Sequence, residues 1–148
     1  MPPETLLKYY DKLGTTGKAL AITEYDFDTT DEQLKADYTR DIMTAVFSHP
    51  NFNCFTIWRF WDGQPTQHLS VIYANDWRLL PSGQVYKDLV FKKWWTDEKG
   101  KTGAEGKFTT RGFYGDYEIT AIAGGKTGKV TANFQKGGAK EFTVILPE

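Results

Sequence analysis

The chain has 148 residues, room for one ordinary domain or two small ones, and its charges nearly cancel, with 18 Lys and Arg against 19 Asp and Glu. That balance gives no long-range pull toward nucleic acid or an anionic membrane; no run of 18 apolar residues spans a bilayer, and 40% hydrophobic residues exclude a disordered tail. The single cysteine, Cys54, excludes an internal disulfide and cysteine zinc sites, and with only His49 and His68 present no metal or cofactor is expected.

Residues 3–13 carry a weak helical pattern. Leu6, Tyr9, Tyr10 and Leu13 share a face, and Gly14 stands where such a helix ends. Residues 1–14 lack the basic start and apolar stretch of a secretory signal. Ala19–Thr23 is a short apolar run followed by Glu24, Tyr25 and Asp26. A run apolar on both faces predicts a strand buried on both sides, as in a parallel sheet. Thr29 and Thr30 stand three residues before Glu32 and Gln33, a capping-box spacing. Leu34, Tyr38, Ile42, Ala45 and Val46 then follow helical periodicity, with the charges on the other face. Ser48-His49-Pro50 stops that helix, and His49 is placed to meet its last carbonyls.

Phe52–Trp61 reads as a second strand. Residues 62–70 form a polar loop in which His68 is expected to be solvated, and Val71-Ile72-Tyr73 reads as a short extended piece. Pro81-Ser82-Gly83 opens a last helix with Val85, Tyr86, Leu89, Val90 and Trp94 on its apolar face. The order helix, strand, helix, strand, helix is that of a fold with parallel strands.

From residue 99 the grammar changes. Four of the 14 glycines lie in residues 1–99 and ten in 100–148. Candidate strands are 107–114, 116–123, 128–135 and 140–146, with turns at Gly115-Asp116, Gly124-Gly125 and Gly137-Gly138. The overall expectation is α+β, with one unit over 1–98 and a small antiparallel sheet or sandwich over 99–148.

The residues suited to chemistry cluster at the strand ends. Glu24 and Asp26 close the first strand. Either carboxylate can serve as nucleophile or base, or simply cap the strand end. Trp58 and Trp61 stand at the matching end of the second strand beside Asp62. Indole faces beside carboxylates suit a sugar site, and two core tryptophans fit the same pattern. Aromatic residues reach 16% of the chain, more ring surface than a small core needs. In the second half Phe108, Phe113, Tyr114 and Tyr117 form either a sugar-binding strip or a core.

Ile22-Thr23-Glu24-Tyr25-Asp26 resembles the signature of glycoside hydrolase family ten, the retaining endo-β-1,4-xylanases. Asp37-Tyr38, Arg40-Asp41, Phe47-Ser48-His49-Pro50, Phe55–Gly63 and Pro81–Tyr86 continue that resemblance to about residue 95. Residues 96–148 are similar to the small β-sandwich appended to some bacterial members, on Gly106-Lys107-Phe108 and Gly112–Glu118. The resemblance implies the last two strands and helices of a (β/α)8 barrel. It implies Glu24 as nucleophile, Asp26 as its support, and Trp58 stacked on the sugar at the cleavage point; the local strand-end pattern adds Trp61 and Asp62 as substrate-binding candidates. It implies xylan or cellulose, β-1,4-linked polysaccharides, as partner, and an extracellular setting.

The chain departs from the family where a second carboxyl is needed. A full catalytic barrel takes roughly 300 residues, and the strand with the acid/base glutamate is missing. Asp62 and Asp76 are the carboxylates that follow the second strand. Thr66 stands where the family often has a second stacking Trp, and Arg59 where Gly is usual. Two strands cannot close a barrel, so Ile22 and Ile57 are expected to lie in an exposed apolar patch, and the chain to form homo-oligomers.

Overall fold

A computed structural model describes residues 2–63 and 69–148. Thr66 and His68 lie outside the described residues. Contacts divide the chain into two units, 1–93 and 94–148. The fold is mixed α+β, with one small parallel and one small antiparallel sheet.

In the first unit, α1 (Pro3–Gly14) starts with proline inside its first turn, where the missing N–H costs nothing. It buries Tyr10, whose ring meets Phe52 edge-on at 4.8 Å. Tyr9 and Leu13, expected on the same inward face, are exposed; Leu6 and Leu7 pack inward instead.

After β1 (Leu20–Tyr25) the chain enters α2 (Glu32–Ser48). The cap is Asp31, whose carboxylate accepts the Leu34 N–H at 2.9 Å, and the Thr29/Thr30 capping box does not form. Thr29 instead accepts the Asp31 N–H through its hydroxyl and so presents the capping carboxylate. Ile42, Ala45 and Val46 are buried as the periodicity predicts, but Leu34 is half-exposed. His49 is also buried. Its Nε2 faces Asp11 of α1 at 3.3 Å and its Nδ1 accepts the Asn51 N–H, so the side chain joins two segments and does not meet the helix carbonyls.

The strand β2 (Phe52–Ile57) lies parallel to β1 and is shorter than the Phe52–Trp61 run expected. Tyr25, Ile42, Val71 and Ile72 form the core, with Ile22, Phe55 and Ile57 packed against it. Ile22 and Ile57 are therefore partly buried, and not in the exposed apolar patch expected. Burial raises the Tyr25 phenol pKa to about 12, and its hydroxyl shares a 2.8 Å hydrogen bond with Thr39.

The most enclosed stretch is Ser70–Ile72. Ser70 and Val71 have no exposed surface. The Val71 N–H reaches the Arg59 carbonyl, the Leu80 N–H reaches Ile72, and the Ser82 hydroxyl donates to the Val71 carbonyl. Lys35, on the supposedly solvated face of α2, is 3% exposed and donates from Nζ to the Ser70 carbonyl at 2.7 Å. Burial lowers its ammonium pKa, and Asp62, Asp28 and Glu32 pull it back up. The helix α3 (Pro81–Asp88) then buries Ser82 and Gly83 and runs into one π turn, Leu89–Lys93.

In the second unit only two of the four expected strands form a ladder among the described residues. They are β3 (Gly115–Ala123) and β4 (Lys126–Phe134), paired antiparallel. Gly115, expected in a turn, opens β3. The hairpin closes through Gly124 and Gly125, both at positive φ (56° and 78°), as a two-residue turn with the twist of its strands requires. Residues 107–114 have no strand partner. Residues 140–146 keep their alternation, with Phe142, Val144 and Leu146 half-buried, and pass so close to Gly128 that a Cβ there would strike the Ile145 carbonyl. This segment thus packs on the hairpin at Gly128 without joining its ladder. No helix among the described residues is long and apolar enough to cross a membrane.

Replacing Lys35 by Ala leaves the buried Ser70 carbonyl without its charged donor. Urea denaturation should show a loss of about 2–3 kcal/mol; an unchanged midpoint would mean that Ser70 is satisfied without Lys35.

Candidate functional site

The pairing of β1 with β2 sets the site. Ala21 pairs with Cys54, Ile22 with Phe55 and Tyr25 with Ile57. From 22 to 25 the first strand advances three residues, while the second advances two from 55 to 57. The extra residue is a bulge at Thr23–Glu24, a device that re-aims side chains. Thr23 and Glu24 are consequently both exposed, although strict alternation would hide one of them.

The sheet has two unlike faces. Ile22, Tyr25, Phe55 and Ile57 turn to the core. Ala21, Thr23, Glu24, Cys54, Thr56 and Trp58 are exposed. The expected burial of β1 on both sides is therefore not observed, and the open face mixes Thr23, Glu24 and Thr56 with Ala21, Cys54 and Trp58.

The Trp58 N–H donates to the Tyr25 carbonyl at 2.9 Å, extending the parallel ladder by one bond. This brings Glu24, Asp26 and Trp58 to one strand-end edge. Trp58 is 58% exposed. Trp61 and Asp62 turn the other way, toward residues 70–77. The Trp61 indole donates to the Asn75 carbonyl at 3.2 Å and stacks on Trp77, with centroids 4.7 Å apart and planes 12° from parallel. The Asp62 carboxylate accepts the Ser70 N–H, and Asp76 accepts the Arg78 N–H at 3.0 Å. Both aspartates thus hold local backbone. Arg59, between the exposed Trp58 and Phe60, is buried.

Arg78 grips Glu32 with two bonds, at 2.7 and 3.1 Å, which holds the Glu32 carboxyl below its usual pKa. A shallow groove of about 470 Å³ runs along β2 between Phe60, Tyr86 and Phe91, and no carboxylate lines it. Among the described residues no three His, Cys, Asp or Glu side chains converge as metal ligands. In the second unit Phe108, Phe113 and Tyr114 are exposed, and the Tyr117 hydroxyl contacts Thr96 and the Phe113 carbonyl. Two features escaped the sequence reading: the burial of Lys35, and Trp77. The Asn75-Asp76 pair before Trp77 is a turn signal that singles out the latter.

With this geometry in hand, comparison with known proteins adds three relatives. The chain is 36% identical over 141 residues to the anti-sigma-I factor RsgI6 of Acetivibrio thermocellus, covering 93% of this chain and 18% of that protein. It is 28% identical over 112 residues to endo-1,4-beta-xylanase 1 of Arabidopsis thaliana, 76% of this chain and 12% of the enzyme. It is 22% identical over 109 residues to endo-1,4-beta-xylanase 3 of the same plant, 74% of this chain and 14% of the enzyme. No family model matches. The chain thus spans less than a fifth of each relative, and the two enzymes support a xylanase-like relationship.

Cys54, the chain's one cysteine, reports on the open face. In native buffer it should react with a disulfide reagent within a few-fold of its rate in denaturant. Strong protection would mean that something covers this face.

Proposed function

We propose that the chain is a polysaccharide-recognising segment of a xylanase-like retaining glycoside hydrolase, corresponding to the last two strands and helices of a (β/α)8 barrel with an appended β unit. The observation that carries this reading is the shared edge of Glu24 and Trp58, created by the parallel register and the bulge. A carboxylate and an exposed indole at one sheet end suit a pyranose ring lying on the indole with its anomeric carbon toward the carboxylate. In this scheme a Glu24 oxygen attacks the anomeric carbon. The bond to the leaving oxygen breaks, that oxygen takes a proton from an acid, and water later releases the sugar from Glu24. Asp26 orients Glu24, and Trp61 and Asp62 contribute to substrate binding. Retaining chemistry needs a second carboxyl about 5 Å from the first. With Asp62 and Asp76 committed to backbone N–H groups, this chain alone is expected to be weakly active or inactive on β-1,4-linked plant polysaccharide. An extracellular setting follows from the same reading.

A second reading is a non-catalytic carbohydrate-binding or structural module, favoured by the greater identity to a protein named as an anti-sigma-I factor. An aryl xyloside with a good leaving group, which needs little acid help, separates the two. Under the hydrolase reading it is turned over slowly, Glu24→Ala lowers turnover by several orders of magnitude, and azide restores part of the rate. Turnover unaffected by Glu24→Ala would end that mechanism. No turnover, with xylan retention that weakens in Trp58→Ala, would establish the binding module.

We also propose that copies associate through the unpaired edges of the parallel sheet. Light scattering at micromolar concentration should exceed the monomer mass of 16.9 kDa; a clean monomer overturns this.

A further inference from the structure

His49 has both ring nitrogens in use, and the two uses demand one protonation state. Its Nδ1 accepts the backbone N–H of Asn51 at 3.3 Å, and its Nε2 stands 3.3 Å from an Asp11 carboxylate oxygen. A backbone N–H can only donate, so Nδ1 carries a lone pair. An ionised carboxylate can only accept, so the ring proton sits on Nε2. The neutral Nε2–H tautomer satisfies both partners. The imidazolium cannot, because its Nδ1–H would face the Asn51 N–H, donor against donor.

The ring has little room to escape this conflict. It is 6% exposed. Tyr10 and Phe52 meet it edge-on, with centroids 6.1 and 5.6 Å away. A Cβ on Gly14, at the end of α1, would lie 3.4 Å from its Cε1 and 3.0 Å from the Asn51 side chain. Of its contacts, Asp11 and Tyr10, both on α1, are titratable. Burial pushes the Tyr10 phenol up, so Tyr10 stays neutral where histidine titrates. From the start of β2 the ring meets Asn51 and Phe52. The last residue of α2, Ser48, gives its hydroxyl to the Ala45 carbonyl.

What hangs on Asn51 is the entry of the parallel sheet. The Phe52 N–H returns to the His49 carbonyl at 3.2 Å, and the Asn51 carbonyl takes the Leu20 N–H at 2.8 Å. The second bond leads into the pairing of Leu20 with Phe52. Asn51 therefore links the His49 ring to the first residue of β1, at the end of the sheet away from Glu24 and Trp58.

We propose that His49 is a pH-sensitive switch at this end of the sheet. Neutral, it ties α1 and the start of β2 together through one ring. Protonated, it keeps α1, because Nε2–H and Asp11 then form an ion pair, and it releases the Asn51 N–H, which loosens the seating of Leu20 beside Phe52. Mild acid operates this exchange at a pH where ordinary carboxylates are still ionised. The switch does not depend on any reading of the Glu24 edge.

The test is an NMR titration of the whole chain from about pH 8 to about pH 5, the range in which histidine changes charge. Imidazole nitrogen signals report the tautomer, and His68→Gln assigns those of His49. At the upper end Nδ1 should be bare and Nε2 protonated. As the ring takes up its second proton, the Asn51 and Leu20 amides should shift with the same midpoint. The Asn51 amide should then exchange with solvent about tenfold faster than its intrinsic pH dependence dictates, the worth of one hydrogen bond. His49→Asn keeps a side-chain acceptor and cannot charge in this range, so its Asn51 and Leu20 amides should stay flat. If they titrate as in wild type, another group drives them and the proposal falls. It falls equally if His49 protonates while both amides stand still, if Nδ1 carries the proton at about pH 8, or if the ring stays neutral until the whole fold is lost. If His49→Asn does not fold, the wild-type titration decides by itself.

Discussion

The buried carbonyl of Ser70 is the constraint on which the first unit turns. A carbonyl with no access to water must find a donor inside the protein, and here the donor is the ammonium of Lys35 at 2.7 Å. That bond fixes α2 against the segment that follows β2. Ser82 and Leu80 then fix the same segment to the start of α3. Three parts of the chain meet at residues 70–72, and the exit of β2 is determined by that meeting. The Val71 and Tyr73 N–H groups take the carbonyls of Arg59 and Phe60. Trp58 consequently leaves the strand toward solvent, whereas Trp61 turns back toward Trp77.

Much of this was legible in the sequence, and the failures have physical causes. The α2 periodicity held because Ile42, Ala45 and Val46 repeat at helical spacing over a long segment. The Gly124-Gly125 hairpin held because few residues tolerate two successive positive φ angles. Lys35 was misplaced because a charge is read as solvated, and only the fold brings a carbonyl 35 positions away to its ammonium. The cap went to Asp31 because a carboxylate competes well for the same N–H groups and Thr29 helps present it. Residues 107–114 and 140–146 carry strand-like patterning, but a strand needs a partner, and alternation does not specify one. The bulge at Thr23–Glu24 is a mismatch between two strands and leaves no mark in either alone.

The candidate site joins two kinds of chemistry with different tolerance for loss. Nucleophile, acid and positioning groups act as a unit, so removing one forfeits most of the rate. Ring stacking is more divisible, because each indole face contributes its own contact. Under the reading proposed above, an edge with Glu24 and Trp58 but with its other local carboxylates committed to the backbone retains more of the requirements for holding a sugar than for cleaving one.

The two sheets also differ in how far along the chain their contacts reach. The pairs of β3 with β4 spread outward from a two-residue turn, so this ladder can zip from one end, on the ~1–10 μs scale of hairpin formation. Leu20 cannot meet Phe52 until the whole of α2 has been drawn between them, and closing that loop carries an entropic cost before any contact repays it. The hairpin is thus a local event in time as well as in sequence, whereas the edge that carries Glu24 and Trp58 exists only after α2 has bridged its two strands.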